Sequence, residues 1–389
     1  MKRNIFNLII AFLMVAFIAG CGNKQKGSHA KIVKVNGNEV VDCNISEVTD
    51  TIDLPLSEII SECEIIPLET NEKSLFESVY HVSISENYIA IHSRGSFPIK
   101  LFTREGKFIR DIGKIGRGPG EFNSLYGIQL DEDAKRIYLT PFARATKLFV
   151  YSLDGENLPD IPLVYPQTKF HAYVTNNTVT VLSMPFEGEP IPIACQQTIE
   201  GKLLKECFEP ENLITNPRNA QGQFVGFNSE LSSSRNADAF DYFKLSYGSD
   251  SPDTLYHYDV EKNRMIPQFV AFFTGEKQGT WIYEWKSHYC TQIFGKKYNG
   301  AKVLVDKKTL KSDFFRIKND FWGGYEINKF YMSNNGMFIS SINAMQLMEE
   351  LDKSLKKGEL KSKEKQKIET LLSQLKEDDN EVLFVGKMK

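Results

Sequence analysis

I-G-K-I-G-R-G-P-G-E-F, residues 112–122, holds four glycines and one proline between a strand-like run ending at Ile112 and further strand-forming sequence. A glycine-rich loop invites a phosphate reading. Cradling a phosphate, however, needs successive backbone N–H groups at a helix start, with a Lys-Ser/Thr pair in the nucleotide case. Residues 123–130 continue as loop and strand, and no G-K-S or G-K-T occurs anywhere. The block therefore reads as a tight crossing between two units of structure. Pro119 fixes one turn torsion, and Gly118 and Gly120 permit positive φ. Arg117 and Glu121 are placed to pair across the loop or, if it lies at the mouth of a central channel, to contact a ligand there.

Outward from this block the chain repeats. Residues 79–85, 88–92, 99–102 and 108–112 are four short β-type runs separated by turn residues. The pattern recurs over 127–164 and again over 171–208. The turn positions set the period: Gly106 to Gly155 is 49 residues, Gly155 to Gly201 is 46, Gly201 to Glu261 is 60 and Glu261 to Lys307 is 46. Four strands every 40 to 50 residues is the pattern of a β-propeller, whose blades bury their faces only against one another. The long interval contains residues 228–241, rich in Ser, Asn and Asp, which read as an inserted loop. Residues 280–317 supply a fifth unit.

The sixth unit starts with strands at 329–332 and 337–341. Ala344, Leu347, Met348, Leu351 and Leu355 then fall on one helical face, and Ile368, Leu371, Leu372 and Leu375 on another, before a last strand over 381–387. The fold class expected is all-β: a six-bladed β-propeller over residues 31–389, with a helical hairpin (344–377) inserted in the last blade. The Lys-rich run 356–367 reads as that hairpin's solvated face. Ahead of blade one, residues 31–41 read as a short strand, and 53–70 as a helical turn around Ser57 followed by a strand at 63–68.

At the N-terminus, Lys2 and Arg3 precede the 12 apolar residues 8–19. A spanning helix needs about 20, so a signal peptide (1–20) is the better reading. The I-A-G-C sequence ending at Cys21 resembles a bacterial lipobox, which implies lipidation of Cys21, a tether over 21–30 and a membrane partner through the N-terminal lipid. Gly22, in place of aspartate, implies by the same resemblance an outer-membrane lipoprotein, with the periplasmic face expected. Five further cysteines remain. Cys195 and Cys207 flank the turn at Gly201 symmetrically and could bridge two strands, but a one-residue change of register would put them out of line.

The net charge of -3 argues against nucleic-acid binding, which needs a basic excess or a basic face. No H-E-x-x-H, no Cys/His zinc spacing and no G-x-S-x-G occurs, so no metal, cofactor or serine nucleophile is expected. The six histidines read as surface or half-buried fillers. Trp281, Tyr283 and Trp285 alternate onto one face of a strand, and Trp322 and Tyr325 follow near the next blade. Such rings can stack on a sugar, although packing between blades uses the same residues.

The lipobox, I-I-P-L-E-T at 65–70, the glycine block within 102–122 and D-D-N-E-V-L-F at 378–384 together resemble the six-bladed β-propeller lipoproteins of Gram-negative gut bacteria, a TolB-like group. Glu381 stands where that family usually has proline. The resemblance spans nearly the whole mature chain and implies fold far more than activity. The expectation is a lipid-anchored binding or scaffolding module for a protein or glycan ligand. The alternative is a propeller enzyme, a lyase or hydrolase on a carbohydrate or lactone, by fold analogy alone.

Overall fold

The structure is a computed structural model that describes residues 29–389 apart from 187–188, 210–213, 215–228, 236–238, 246–251, 296, 299 and 333–335. Cys21, the signal peptide and most of the tether lie outside the described residues. Six antiparallel sheets form the blades of a β-propeller. From the inner strand outward, blade one is Val79–Ile84, Tyr88–Ser93, Ile99–Thr103 and Phe108–Ile112. Blade two is Leu125–Asp131, Arg136–Pro141, Ala145–Ser152 and Asn157–Gln167. Blade three is Phe170–Thr175, Thr178–Ser183, Ala194–Thr198 and Leu203–Cys207. Blade four is Glu230–Ser232, Phe240–Leu245, Asp253–Asp259 and Arg264–Phe272. Blade five is Gly279–Glu284, His288–Phe294, Lys302–Asp306 and Ser312–Asn319.

Blade six takes Phe330–Met332, Met337–Ile342 and the C-terminal strand Val382–Lys387, and its outermost strand is Glu64–Pro67 from the other end of the chain. Leu383 pairs with Ile66 and Phe384 with Ile65. The ring is therefore closed by hydrogen bonds between its two ends. The C-terminal strand, expected to finish blade six, is its third strand.

Two-residue periodicity explains why the blades stack. Ile89 and Ile91 face one way, joining a cluster with Ile339, Leu383 and Val385 of blade six. Ala90 and Leu101 face the other way, joining Leu130, Ile137 and Leu139 of blade two. Alternate side chains on a strand serve opposite faces, and each fully buried Ile or Leu contributes about 1.5–3 kcal/mol. All five turns that set the period join a third strand to a fourth. Gly106, at φ +84°, could not carry a side chain, because a Cβ there would come within 2.3 Å of the Pro67 carbonyl oxygen on the neighbouring outer strand. Gly201, at φ +83°, is likewise tight against Pro162 of blade two, and Gly155, at φ +86°, lies over Asp111 of blade one at ordinary contact distance. The glycine period thus marks where each blade's turn rests on the blade before it.

Residues 30–67 run round the outside of the ring. The single strand expected over 31–41 is a hairpin, Ala30–Val35 and Asn38–Asn44, whose second strand pairs in parallel with the outer strand of blade four. Thr51–Pro55 pairs in parallel with the outer strand of blade five, and Glu64–Pro67 completes blade six. This covers the outer strands of blades four and five, which would otherwise present open edges, and supplies the outer strand of blade six. The helical turn expected at Ser57 is Leu56–Ile59.

The inserted hairpin is formed as expected, by Ala344–Lys357 and Ser362–Leu372. Asn343 caps the first helix through its side chain, and Gly358 ends it at φ 72°. Leu347, Leu351, Ile368 and Leu371 are buried against Trp322, Tyr325 and Phe384. Lys356, Lys361, Lys363 and Lys365 point to solvent. In the stretch read as an inserted loop, the structure instead has the inner strand of blade four, Glu230–Ser232. The Cys195–Cys207 bridge is not formed: Cys207 faces Ala194 and Cys195 faces Glu206, one register apart, and neither is in a disulfide.

Candidate functional site

The six inner strands converge on an open cavity of about 640 Å³ to which every blade contributes. Its wall combines aromatic rings with charged and hydroxylic groups. Trp281 and Tyr283 line it, with ring centroids 6.5 Å apart, backed by Phe243 and Phe330 respectively. Tyr80 and Tyr331 face it from blades one and six. Ser232, Ser233, Ser234 and Gln292 add hydrogen-bonding groups.

Three histidines sit in or against this wall. His81 and His92 stack at 5.4 Å with Nδ1 atoms 3.1 Å apart, so one ring donates to the other. Burial holds the His81 imidazole down at about 3, helped by its proximity to His92 and His171, and burial alone holds His92 at about 4. His171 sits 3.1 Å from the Leu231 carbonyl through Nε2, and burial keeps it near 4. All three are neutral at physiological pH, acting as hydrogen-bonding rings and not as cations. Beside them the Tyr126 hydroxyl donates to Glu230 at 2.8 Å, and the Lys169 ammonium holds the same carboxylate at 2.6 Å.

On blades four and five the wall gathers a buried charge network. Asp241 and Glu284 face the cavity. His257 Nε2 lies 2.5 Å from Glu284 Oε2 and 3.3 Å from Asp241 Oδ1. Lys307 Nζ donates to Glu284 Oε1 at 2.5 Å, and Ser234 Oγ to Asp241 Oδ2 at 2.6 Å. Burial, then the Glu284 charge, pushes the Asp241 carboxyl well above the carboxylate range. Burial also works against the Glu284 charge, but hydrogen bonding and charge from His257 and Lys307 outweigh it and hold Glu284 low. Burial disfavours imidazolium at His257 too, yet the hydrogen bond and charge of Glu284, with Asp241, raise its pKa. Two carboxylates whose pKa values are driven apart are the pattern of an acid/base pair.

Asp241, His257 and Glu284 also bring one ligand atom each within 4.8 Å of one another. Sequence spacing gave no sign of this set, because the three residues come from three different strands. The donor chemistry suits a divalent cation, but the oxygens are already engaged: Glu284 by His257 and Lys307, and Asp241 by His257 and Ser234. A cation here would have to displace the His257 proton and compete with Lys307 for Glu284.

Of the residues singled out from sequence, Trp281 and Tyr283 line the cavity; the others lie elsewhere. Trp285 follows the end of its strand and packs, 4% exposed, between Phe315 and Phe330. Trp322 and Tyr325 lie under the helical hairpin against Phe384, with the Lys367 ammonium 3.7 Å above the Trp322 ring. The glycine block joins blade one to blade two as expected, outside the cavity. Glu121 accepts from the Gly118 N–H at 2.8 Å instead of pairing with Arg117, which is exposed. The positive φ values fall at Gly113 and Gly120, not at Gly118. Tyr151 donates to the Gly120 carbonyl, stitching the loop to blade two.

The chain is similar to a protein of Bacteroides fragilis NCTC 9343 named for its presumed export. The TM-score is 0.57 at 14% identity, covering 87% of this chain and 99% of that one. At that identity the likeness shows the shared fold. Weaker likenesses include the hydrazine synthase of Kuenenia stuttgartiensis (TM-score 0.41, 10% identity, 71% and 77% covered) and the WD40 repeats of RRP9 (TM-score 0.36, 10% identity, 84% and 98% covered). No curated protein matches. The family described as a domain of unknown function, DUF4934, matches residues 38–387, and the chain belongs to that family.

Proposed function

We propose that this protein is an exported, lipid-anchored binding module of the Gram-negative envelope whose axial cavity takes a saccharide. The observation that carries the reading is the cavity wall: Trp281, Tyr283, Tyr80 and Tyr331 interleaved with hydrogen-bonding groups in about 640 Å³. Sugars present apolar ring faces edged by hydroxyls, so recognition needs aromatic planes beside polar groups. Export is supported by the apolar run 8–19, and anchoring by the I-A-G-C sequence at Cys21. Among the described residues no helix is long and apolar enough to cross a membrane. Attachment to the outer membrane, on its periplasmic face, is part of the same reading.

The test is thermal shift of the whole chain against neutral and acidic oligosaccharides, repeated for Trp281→Ala. A ligand at 100 times its Kd stabilises by about 2.7 kcal/mol. The reading expects a shift in wild type that Trp281→Ala loses. No shift, or one that survives the substitution, counts against it. Anchoring is tested separately, since Cys21→Ala should move the protein from the membrane to the soluble fraction.

One observation favours a second reading, an enzyme acting on the bound saccharide. Asp241 faces the cavity with a raised pKa beside the ionised Glu284, as a general acid would. Product formation from an oligosaccharide, abolished in Asp241→Asn without loss of binding, would establish it.

A further inference from the structure

The cavity's carboxylates are already matched with cations. Glu230 is held by Lys169, and Glu284 and Asp241 by His257, with Lys307 also on Glu284. Two lining cations are placed differently. Arg94 is exposed at the loop after the second strand of blade one, and its guanidinium lies 5.6 Å over the Tyr80 ring. Among the described residues it has no ion-pair partner. Lys329, just before the inner strand of blade six, donates to the Val79 carbonyl at 2.8 Å. Its nearest carboxylate, Glu381, is 4.0 Å away, and that group also accepts from the Val79 N–H at 3.2 Å.

Arg94 and Lys329 thus line the same cavity from blades one and six, Arg94 over Tyr80 and Lys329 on the Val79 carbonyl. Burial lowers the Lys329 pKa; the charge on Glu381 opposes this, and the smaller effect of the Arg94 charge adds to it. With Glu381 shared with the Val79 N–H and Arg94 without an ion-pair partner among the described residues, two cations on one wall beside the aromatic planes of Tyr80 and Tyr331 offer a place for a ligand's anion. Arg presents a planar fork of donors matched to a carboxylate or sulfate, and a charge-assisted hydrogen bond of this kind is about twice as strong as a neutral one.

We infer that the cavity's ligand is an acidic saccharide whose carboxylate or sulfate is held by Arg94 and Lys329 while its rings lie on the aromatic wall. This rests on the saccharide reading above and adds the charge.

The probes are uronate tetrasaccharides of the gluco, galacto and manno series, each against its methyl ester, with sulfated tetrasaccharides as a second arm. Calorimetric titration of the whole chain should show at least one acidic probe binding about tenfold or more tighter than its uncharged counterpart, equivalent to about 1.4 kcal/mol. The preference should fall as salt rises. Arg94→Gln and Lys329→Gln should each lose about tenfold for the acidic probe and leave the ester unchanged. Arg117→Gln, an exposed arginine outside the cavity, should leave both unchanged. The carboxylate and sulfate arms identify which anion is taken. Esters binding as tightly as acids, or Arg94→Gln retaining full affinity for the acid, would overturn the inference while leaving a neutral saccharide site standing. Binding by none of the acidic, esterified or neutral probes would overturn both.

Discussion

Substituting Glu284→Gln keeps the shape of the buried network and removes one charge, so its cost can be worked from the structure. The Glu284 side chain is 8% exposed and holds both His257 and Lys307 at 2.5 Å. Breaking a fully buried ion pair by removing one partner costs about 3–5 kcal/mol. His257 and Lys307 keep 22% and 25% of their side-chain exposure, and Asp241 remains near His257, so about 2 kcal/mol is the better expectation. With an unfolding entropy of roughly 0.8 kcal/mol/K for a chain of this length, that lowers Tm by about 3 °C.

The effect should depend on pH. Folding raises the His257 pKa, so the contribution of its pair with Glu284 is whole below the ordinary imidazole value of about 6.5 and fades as pH rises through the raised value. Folding lowers the Glu284 pKa, so its share is present above about 4.3 and is lost only at more acid pH. Melting curves of wild type and variant should therefore differ most near pH 5.5. By pH 9 the gap should narrow to roughly what the Lys307 contact supplies. A variant as stable as wild type at pH 5.5, or an equal gap at both pH values, would refute the reasoning.

Ring closure, the hairpin and the cysteines give three more tests. Ile66→Ala, in the strand that pairs with Leu383, should cost about 2–4 kcal/mol in urea unfolding, and a cost under about 0.5 kcal/mol would mean the seam is not formed in solution. Trp322→Ala should destabilise by about 3–5 kcal/mol yet leave saccharide affinity intact; lost affinity with retained stability would place this ring in a binding site after all. Thiol titration should find Cys195 and Cys207 free once the chain is unfolded without reductant. In the folded protein Cys195 should be unreactive at pH 8, because burial pushes its thiol up to about 12; a missing pair of thiols on unfolding would show the bridge.

Much of the ring could be read from the sequence because its period has a steric cause. Gly106, Gly155 and Gly201 recur where each blade's last turn meets the preceding blade, so composition reports geometry at those points. Three of the segments that carried the family resemblance, 65–70, 102–122 and 378–384, also prove to be neighbours. Asn380 donates to the Glu69 carbonyl at 2.9 Å and its N–H to Thr70 Oγ1 at 2.8 Å, and Phe108 N–H donates to Glu69 at 2.9 Å, all at the seam. That the N-terminal strand completes blade six was not legible, because the pairing joins residues some three hundred positions apart and leaves no local pattern.

The site was obscured for a different reason. The inner strand of blade four, Glu230–Ser232, is three residues long with Leu231 its one apolar residue, too short for alternation to mark it as a strand. Asp241, His257 and Glu284 share no motif spacing; only strand adjacency within blade four and the approach of blade five unite them. The alternation placed Trp281, Tyr283 and Trp285 on one strand face, and Trp281 and Tyr283 do share the face that lines the cavity. It failed at Trp285, where the strand has already ended and the ring turns into the core.

The most direct measurement is a crystal structure of the whole chain soaked with an acidic tetrasaccharide that binds in titration. Density should lie in the axial cavity, with a ring on Trp281 or Tyr283 and the acidic group within hydrogen-bonding distance of Arg94 and Lys329. Ligand bound at the glycine block around Arg117, or on the outer edges of the blades with the cavity empty, would contradict the account.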